Sequence, residues 1–194
     1  MARHKGLTFY EKKKRISRKM IREIFSTIFY CFAAILVAFV IVFAMGMKIS
    51  VIGVSMEPSL YNGQEVLVNR FIYKFVSPGR GDVIVFLPNG NPNSHYYLKR
   101  IVGLPGEQVQ IIDGYVYVDG EPLSEGDSYD KIADPGIAEN GIVLESDEYF
   151  VLGDNRNASE DSRSGNIGPV GKETIIGKAW FYMEEDLAEM GFVK

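Results

Sequence analysis

The sequence predicts a mostly antiparallel β domain that follows a single membrane-spanning helix. One uncharged, largely apolar run of 24 residues extends from Ile24 to Met47, between Glu23 and Lys48. After Ser50, short segments rich in Val, Ile, Tyr and Phe alternate with turns that contain Gly, Pro and Asn, which is typical of β-strands. Strong helical periodicity is absent from this second part of the sequence, except for a weak pattern over residues 184–190.

The apolar run is long enough to cross a bilayer, because about 20 apolar residues span the hydrocarbon core. A secretory signal peptide has a shorter apolar region of roughly 7–15 residues and ends in a small-residue cleavage site. Ala44-Met45-Gly46 matches such a site only weakly. Residues 24–47 are therefore interpreted as an uncleaved transmembrane anchor.

Charge predicts the orientation of this anchor. Residues 1–23 hold nine Lys or Arg and two acidic residues, whereas the rest of the chain is acidic and the whole chain has a net charge of −4. Basic flanks stay on the cytoplasmic side, so residues 48–194 are expected to be extracytoplasmic. The tail also suits contact with anionic lipid headgroups. It lacks interleaved aromatic residues and abuts a membrane helix, so nucleic acid is not an expected partner.

Seven strands are predicted in the second part of the chain: Glu65–Asn69, Asp82–Leu87, Tyr96–Val102, Gln108–Ile112, Tyr115–Val118, Glu148–Leu152 and Thr174–Tyr182. Asp113-Gly114 predicts a type I′ turn between the fourth and fifth. Asp119-Gly120 predicts the next reversal. Residues 106–147 are expected to be a non-catalytic hairpin and loop excursion, whose polar part, Glu121–Asn140, leaves the core of the main sheet.

The shortage of cysteine and histidine limits the chemistry. Cys31 is the only cysteine and lies within the apolar run, while His95 is the only histidine after the anchor. The β domain therefore has no disulfide, no thiol nucleophile and no Cys/His metal cluster. No cofactor or metal is expected.

Several reactive side chains lie in Gly-rich segments, and each has an ordinary structural explanation. A serine between glycine and turn residues, such as Ser55, is usually a turn residue. Lys99 lies in an alternating strand, where a lysine is usually solvated, although its apolar neighbours allow it to point into an apolar wall. Asp154 follows a strand and suits a simple turn.

In combination, four segments resemble the bacterial type I signal peptidases, a family of membrane-bound serine proteases with a Ser-Lys dyad. Gly53-Val54-Ser55-Met56-Glu57-Pro58-Ser59-Leu60 resembles the nucleophile segment of the family. Arg80–Phe86, Tyr97–Glu107 and Gly153–Arg163 resemble its next three segments, and Gly177-Lys178-Ala179 follows. The resemblance extends from the anchor to about Met183. The single anchor is similar to that of the Gram-positive type.

The resemblance implies a nucleophile, Ser55, and a general base, Lys99, that together remove signal peptides from exported preproteins. A serine hydroxyl needs an adjacent base, and lysine serves as one only when its pKa falls toward about 7–8. Burial among apolar side chains lowers that pKa by penalising the ammonium form. The resemblance further implies that Ser159 hydrogen-bonds the lysine, that Asp161 and Arg163 support it, and that Asp154 braces the site.

Gly53 occupies the position where some Gram-negative members have a serine that donates a hydrogen bond to the oxyanion. The oxyanion hole is therefore expected to rest on the backbone N–H of Ser55 together with a second donor that the sequence does not identify.

An extended substrate adds to a sheet edge and places alternate side chains in pockets, which suits small residues at positions −1 and −3 before the cleaved bond. The resemblance assigns these pockets to Met56, Leu60, Val85, Tyr97 and Leu98, for each of which core packing is an equal alternative. The segment Phe71–Phe75 is either an apolar surface that enters the membrane interface or buried packing, and Trp180 has the same two explanations. A secretion translocon is a further candidate partner.

Other functions remain as alternatives. His95 suggests a Ser-His-Asp protease, but Pro92, Asn93 and Ser94 place it in a loop. The self-cleaving repressors of the DNA-damage response have a similar Ser-Lys site, but they need a DNA-binding domain and no anchor. Two further alternatives are a peptidase or assembly factor dedicated to one pilus or sporulation protein, and a non-enzymatic membrane-tethered β adaptor.

Overall fold

The computed structural model describes residues 17–125, 129–184 and 189–193. The chain divides into two units, of which the first ends at Ala44 and the second begins at Met45. Each unit is described by itself.

The first unit contains the helix α1 (Arg18–Met45), whose stretch Arg18–Val40 is long and apolar enough to cross a membrane. The helix begins six residues before the predicted anchor, because the Ser17 hydroxyl accepts a hydrogen bond from the Lys19 N–H at 3.2 Å and caps the first turn. At the other end Gly46, a poor helix former, begins a strand, and Met47 pairs with Val68. The last residue of the predicted anchor therefore belongs to the β domain.

The second unit contains twelve strands within its described residues. They are β1 (Gly46–Ser50), β2 (Glu65–Asn69), β3 (Val83–Phe86), β4 (Tyr97–Gly103), β5 (Gln108–Ile112), β6 (Tyr115–Val118), β7 (Glu121–Pro122), β8 (Ile142–Val143), β9 (Glu148–Leu152), β10 (Val170–Gly171), β11 (Ile175–Met183) and β12 (Met190–Phe192). All the recorded pairs are antiparallel, so the predicted fold class is confirmed. Four of the seven predicted strands have the predicted bounds, and the other three differ by one residue at each end.

Sequence patterns missed β1, β7, β8, β10 and β12. Three of these strands have only two residues, which is too short for an alternating pattern, and β1 is masked by the apolar run before it. The weak helical pattern over residues 184–190 is wrong at its end, since Met190 begins β12 and pairs with Met183. Residues 185–188 of that pattern lie outside the described residues.

The strands form two sheets. Within the described residues the larger sheet has the order β1-β2-β11-β3-β4-β9-β10, with β12 also paired to β11, and the smaller has the order β7-β6-β5-β8. Asp113 and Gly114 both have positive φ angles, 52° and 85°, as the predicted I′ turn between β5 and β6 requires. The strand β4 lies near the centre of the larger sheet, between β3 and β9, and its residues after Tyr97 are all buried.

The smaller sheet packs on the larger one rather than leaving its core. One buried cluster joins Val109, Ile111 and Val116 of the smaller sheet to Val102 of β4 and Phe150 of β9. Ile132 and Ala138, which lie in the predicted polar excursion Glu121–Asn140, are buried in the same cluster. The expectation that this segment leaves the main core is therefore wrong for these residues, because their apolar side chains cover one face of the larger sheet.

Candidate active site

Lys99 is held by the central strand β4, where its backbone pairs with Ile84 of β3. Only 4% of the residue is exposed. Burial lowers the pKa of Lys99 to about 8, against the opposing effects of Asp161, Glu160 and Asp154, because an ammonium ion loses hydration when it is buried. This amine is therefore much closer to neutrality at physiological pH than a surface lysine.

Ser55 lies in the loop between β1 and β2. The Lys99 Nζ atom is 2.9 Å from the Ser55 Oγ atom, so the two residues that the sequence paired are in direct hydrogen-bonding contact. Two backbone hydrogen bonds brace the ends of this loop, from the Val51 N–H to Gln64 O and from the Gly63 N–H to Val51 O. The hydroxyl and the amine thus come from two segments 44 residues apart.

Asp154 begins the loop after β9 and forms a buried ion pair with Arg100 of β4. The guanidinium group donates from Nε to Asp154 Oδ1 at 2.7 Å and from Nη2 to Oδ2 at 2.6 Å. Arg100 also donates to the Gly81 carbonyl at 2.8 Å. Because Arg100 is next to Lys99 in the strand, the bidentate pair ties the loop after β9 directly to the strand that carries the lysine.

Asp161 and Arg163 form a second buried ion pair in the same loop. Arg163 donates from Nε to Asp161 Oδ1 at 2.8 Å and from Nη2 to Oδ2 at 2.9 Å, and the Gly153 N–H donates to Oδ2 at 3.0 Å. Burial by itself raises the pKa of Asp161, but the Arg163 guanidinium and the Gly153 N–H outweigh it and hold the pKa below its ordinary value. The carboxylate therefore remains charged and fixes the curve of the loop.

Ser159 lies in the same loop as Asp161, but it does not form the contact with Lys99 that was predicted for it. Its Oγ atom is buried and forms no hydrogen bond of ordinary geometry among the described residues, so the predicted hydrogen bond to Lys99 is not formed, although the hydroxyl is close enough to Asp161 to help lower the pKa of that carboxyl group. A hydroxyl buried in this way costs free energy unless a group such as a substrate atom satisfies it.

Two neighbours of Asp154, Gly153 and Asn155, lie against the loop that carries Ser55, and sequence reasoning gave neither of them a role in the site. The Asn155 N–H donates to the Ser55 carbonyl at 3.1 Å, and its side-chain amide donates to the Val54 carbonyl at 3.2 Å. Gly153 has no side chain where a Cβ atom would lie 2.5 Å from the Ser55 carbonyl and closer still to Ser159. The Gly-Asp-Asn order was the available signal, because it places a small residue and an amide beside the aspartate.

An open cleft of about 320 Å³ leads to the dyad. Ser55, Lys99 and three of the five predicted pocket residues line it, namely Met56, Tyr97 and Leu98. Leu60 and Val85 do not line this cleft. Both are fully buried in the apolar cluster that also contains Met56 and Leu98, as the core-packing alternative expects.

The other candidate residues have clear positions. Gly53 has a φ angle of +87°, and its N–H donates to the Asn62 side-chain oxygen at 2.9 Å. This N–H is therefore already engaged and does not serve as an oxyanion donor. His95 is exposed and lines the cleft, but no hydrogen bond joins it to Ser55 within the described residues. Phe75 is 84% exposed, whereas the Trp180 ring packs against Phe181 and Phe192.

Comparison with known proteins identifies the family. Residues 22–183 match the family described as signal peptidase, peptidase S26. The chain is 33% identical over 179 residues to signal peptidase I P of Bacillus subtilis subsp. natto, covering 87% of this chain and 91% of the relative. It is 39% identical over 131 residues to a probable signal peptidase I-2 of Synechocystis sp., covering 65% of this chain and 57% of that relative.

A solved structure is also similar, the crystal structure of a signal peptidase I from Enterococcus faecalis V583. It aligns with a TM-score of 0.41 at 30% sequence identity and covers 53% of this chain and 97% of that one. The predicted family and the predicted serine endopeptidase activity on signal peptides are confirmed by the family match and the named relatives. The chain belongs to the signal peptidase family, peptidase S26.

Proposed function

We propose that Ser55 is the nucleophile and Lys99 the general base with which this chain removes signal peptides from exported preproteins, cleaving after small residues at −3 and −1. One observation carries the assignment of roles. A lysine amine with a pKa lowered to about 8 lies 2.9 Å from a serine hydroxyl at the wall of an open cleft. A base with a pKa near the working pH and within hydrogen-bonding distance of a hydroxyl suits nucleophilic catalysis.

The reaction proceeds through an acyl-enzyme. Neutral Lys99 accepts the hydroxyl proton as Ser55 Oγ bonds to the carbonyl carbon at position −1. The resulting ammonium group returns the proton to the leaving nitrogen when the C–N bond breaks, which releases the mature protein with a new amino terminus. Lys99 then takes a proton from water, whose oxygen attacks the ester carbonyl, and returns it to Ser55 Oγ as the signal peptide leaves.

The oxyanion receives a hydrogen bond from the backbone N–H of Ser55. Support for this role comes from the loop geometry, in which Asn155 holds the carbonyls of Val54 and Ser55 and so fixes the peptide planes on either side of the nucleophile. Donors that are fixed before the reaction stabilise the developing charge without reorganisation. Asp154, Asp161 and Arg163 position these groups, and Ser159 gains a partner when substrate enters.

The chain is proposed to be a single-pass membrane protein with residues 1–23 in the cytoplasm and the β domain outside. The basic tail supports this orientation, and the apolar stretch of α1 supports the span. Phe75 and the neighbouring Val76, which is 61% exposed, suit contact with the lipid interface, while Phe71, Ile72 and Tyr73 are half-buried. A preprotein that emerges from a secretion translocon at the outer face would reach the cleft directly.

The deciding experiment is cleavage of a labelled preprotein by the full-length protein in membrane vesicles. Ser55→Ala and Lys99→Ala are expected to abolish processing, with rate losses of at least about 10²–10⁴-fold. His95→Ala is the matched control and is expected to keep most of the activity. Processing that survives Ser55→Ala or Lys99→Ala, or that disappears in His95→Ala alone, would overturn the assignment. Protease protection of tags at either end of the chain tests the orientation.

A further inference from the structure

The active-site cleft has two chemically different walls. Successive side chains of a strand point to opposite faces of the sheet, and β4 follows this rule. Leu98 packs with Val51 and Met56 in a buried apolar cluster. Tyr97 and Lys99 are on the other face, where the Lys99 Nζ atom lies 5.3 Å from the centre of the Tyr97 ring. One wall is therefore apolar, and the wall that carries the lysine is polar.

Glu160 is the acidic residue of the polar wall. It lines the same cleft as Ser55 and Lys99, and its Oε2 atom accepts a hydrogen bond from the Tyr97 hydroxyl at 3.3 Å. Among the described residues, no Lys or Arg forms an ion pair with it. Its neighbour Asp161 is already paired with Arg163. The polar wall consequently presents an exposed negative charge to whatever occupies the cleft.

An extended substrate divides its side chains between these walls. Because its side chains alternate, small residues at −1 and −3 enter the apolar side together, and the residue at −2 points the other way. The substrate side chain at −2 therefore points toward the wall formed by Tyr97 and Glu160.

We propose that Glu160 is a specificity-determining residue that reads the charge of the substrate side chain at position −2, favouring Lys or Arg there and disfavouring Asp or Glu. This inference rests on the proposed function, because positions are counted from the bond that Ser55 attacks. The cleft then selects its substrates in two ways, by small size at −1 and −3 and by charge at −2.

The electrostatic environment of the cleft supports the assignment. Glu160 is close enough to Lys99 to oppose the effect of burial on the lysine pKa, so its charge acts at the reacting atoms as well as at the rim. The other titratable side chains that line the cleft besides Lys99 are His95, Tyr96 and Tyr97, of which His95 and Tyr96 are exposed. Opposite charges at exposed positions attract and like charges repel, so Lys at −2 is expected to exceed Glu at −2 by about fivefold in kcat/KM.

The test uses the full-length protein in vesicles or detergent and two preproteins that differ only in Lys or Glu at −2. Wild type is expected to prefer the lysine substrate by about fivefold, Glu160→Gln to show a ratio near one, and Glu160→Lys to invert the ratio. Glu145→Gln, which removes an exposed carboxylate that does not line this cleft, is the matched control and should keep the wild-type ratio. The preference should also fall at about 1 M salt, where exposed charges are screened.

A wild-type ratio that persists in Glu160→Gln, or that disappears in His95→Gln instead, would overturn the proposal. That result would leave the proposed function intact, because it is measured in active variants. Cleavage by Ser55→Ala would instead overturn the proposed function, whatever the ratio at −2. The two failures are therefore distinguishable.

Discussion

The Nζ atom of Lys99 lies 2.9 Å from the Oγ atom of Ser55, and the lysine that makes this contact is 4% exposed. The same burial that brings the amine to the hydroxyl also lowers its pKa to about 8. The short distance to Ser55 and the lowered pKa of Lys99 therefore have one cause, the position of Lys99 on a central strand. A base built in this way predicts a particular dependence of activity and stability on pH.

The first prediction concerns activity. The kcat/KM for preprotein cleavage should rise about tenfold per pH unit up to about pH 8 and then level off, because only neutral Lys99 accepts the Ser55 proton. The measurement is kcat/KM on one preprotein between about pH 6 and pH 10. Lys99→Arg is the matched control, since a guanidinium group stays protonated and should give no activity at any pH in this range. A flat profile in wild type would contradict this role of Lys99.

The second prediction concerns stability. Lys99→Met should raise the free energy of unfolding at pH 7 by about 1–3 kcal/mol while abolishing activity, because methionine needs no hydration. In wild type the unfolded state binds the proton more readily between about pH 8 and the ordinary pKa of 10.5. Stability of wild type thus rises with pH across that window, and the advantage of Lys99→Met should vanish above it.

Chemical denaturation of the detergent-solubilised protein at several pH values measures this advantage. Lys172→Met replaces an exposed lysine and should change the free energy of unfolding by less than about 0.5 kcal/mol. A Lys99→Met protein that is less stable than wild type at pH 7 would show that the amine is well solvated or paired.

The third prediction concerns Gly153. Gly153→Ala places a Cβ atom 2.5 Å from the Ser55 carbonyl, so the nucleophile loop must move and kcat should fall about 10²-fold. Gly165→Ala is the matched control, because its added Cβ atom would meet only an Ile137 methyl group at 4.0 Å. Steady-state kinetics on the two variants make the comparison, and full activity in Gly153→Ala would mean that the loop tolerates the displacement.

The fourth prediction concerns the buried pair of Arg100 and Asp154. Asp154→Ala removes the carboxylate that neutralises the buried Arg100 guanidinium group and should lower the free energy of unfolding by about 3–5 kcal/mol. The double variant Arg100→Met with Asp154→Ala should recover part of this loss, because no charge is then buried alone. Denaturation of the two single variants and the double variant gives the coupling energy, and purely additive effects would argue against the pair.

The fifth prediction separates two asparagines in one loop. Asn155→Ala removes the hydrogen bond to the Val54 carbonyl and should lower kcat about tenfold through the position of Ser55. Asn157→Ala removes hydrogen bonds to the backbone of Lys131 and Ala133, so it should lower stability by about 1 kcal/mol and leave kcat unchanged. Equal kinetic effects of the two variants would contradict a specific role for Asn155.

Much of the fold could be predicted because its signals are local. The strands β2, β5, β6 and β9 have the predicted bounds, since alternating Val, Ile and Tyr residues end at Gly, Asn and Asp within a few positions. The hairpin turn at Asp113 and Gly114 could be predicted for the same reason. The missed strands are mostly too short to show an alternating pattern, since β7, β8 and β10 have two residues each and β12 has three.

The candidate site could likewise be predicted only in part. Motif order was enough to predict that Ser55 and Lys99 meet, because both residue types and their segments are present in sequence. Pattern reasoning left open whether Leu60 and Val85 line the cleft or pack in the core, since a residue type does not reveal which face of a strand or loop it occupies, and both are fully buried in the apolar cluster. It also predicted a Ser159 hydrogen bond to Lys99 that the structure does not contain.

By itself the sequence determined the apolar helix, the antiparallel β class and the family, and it predicted the pairing of Ser55 with Lys99, because each depends on residue types and short-range order. Tertiary structure alone decided the burial of Lys99, the ion pair between Arg100 and Asp154, the close approach that Gly153 permits and the charge of Glu160 at the cleft. These features depend on distances between segments far apart in the chain. Such distances are set by the packing of two sheets on shared clusters of side chains.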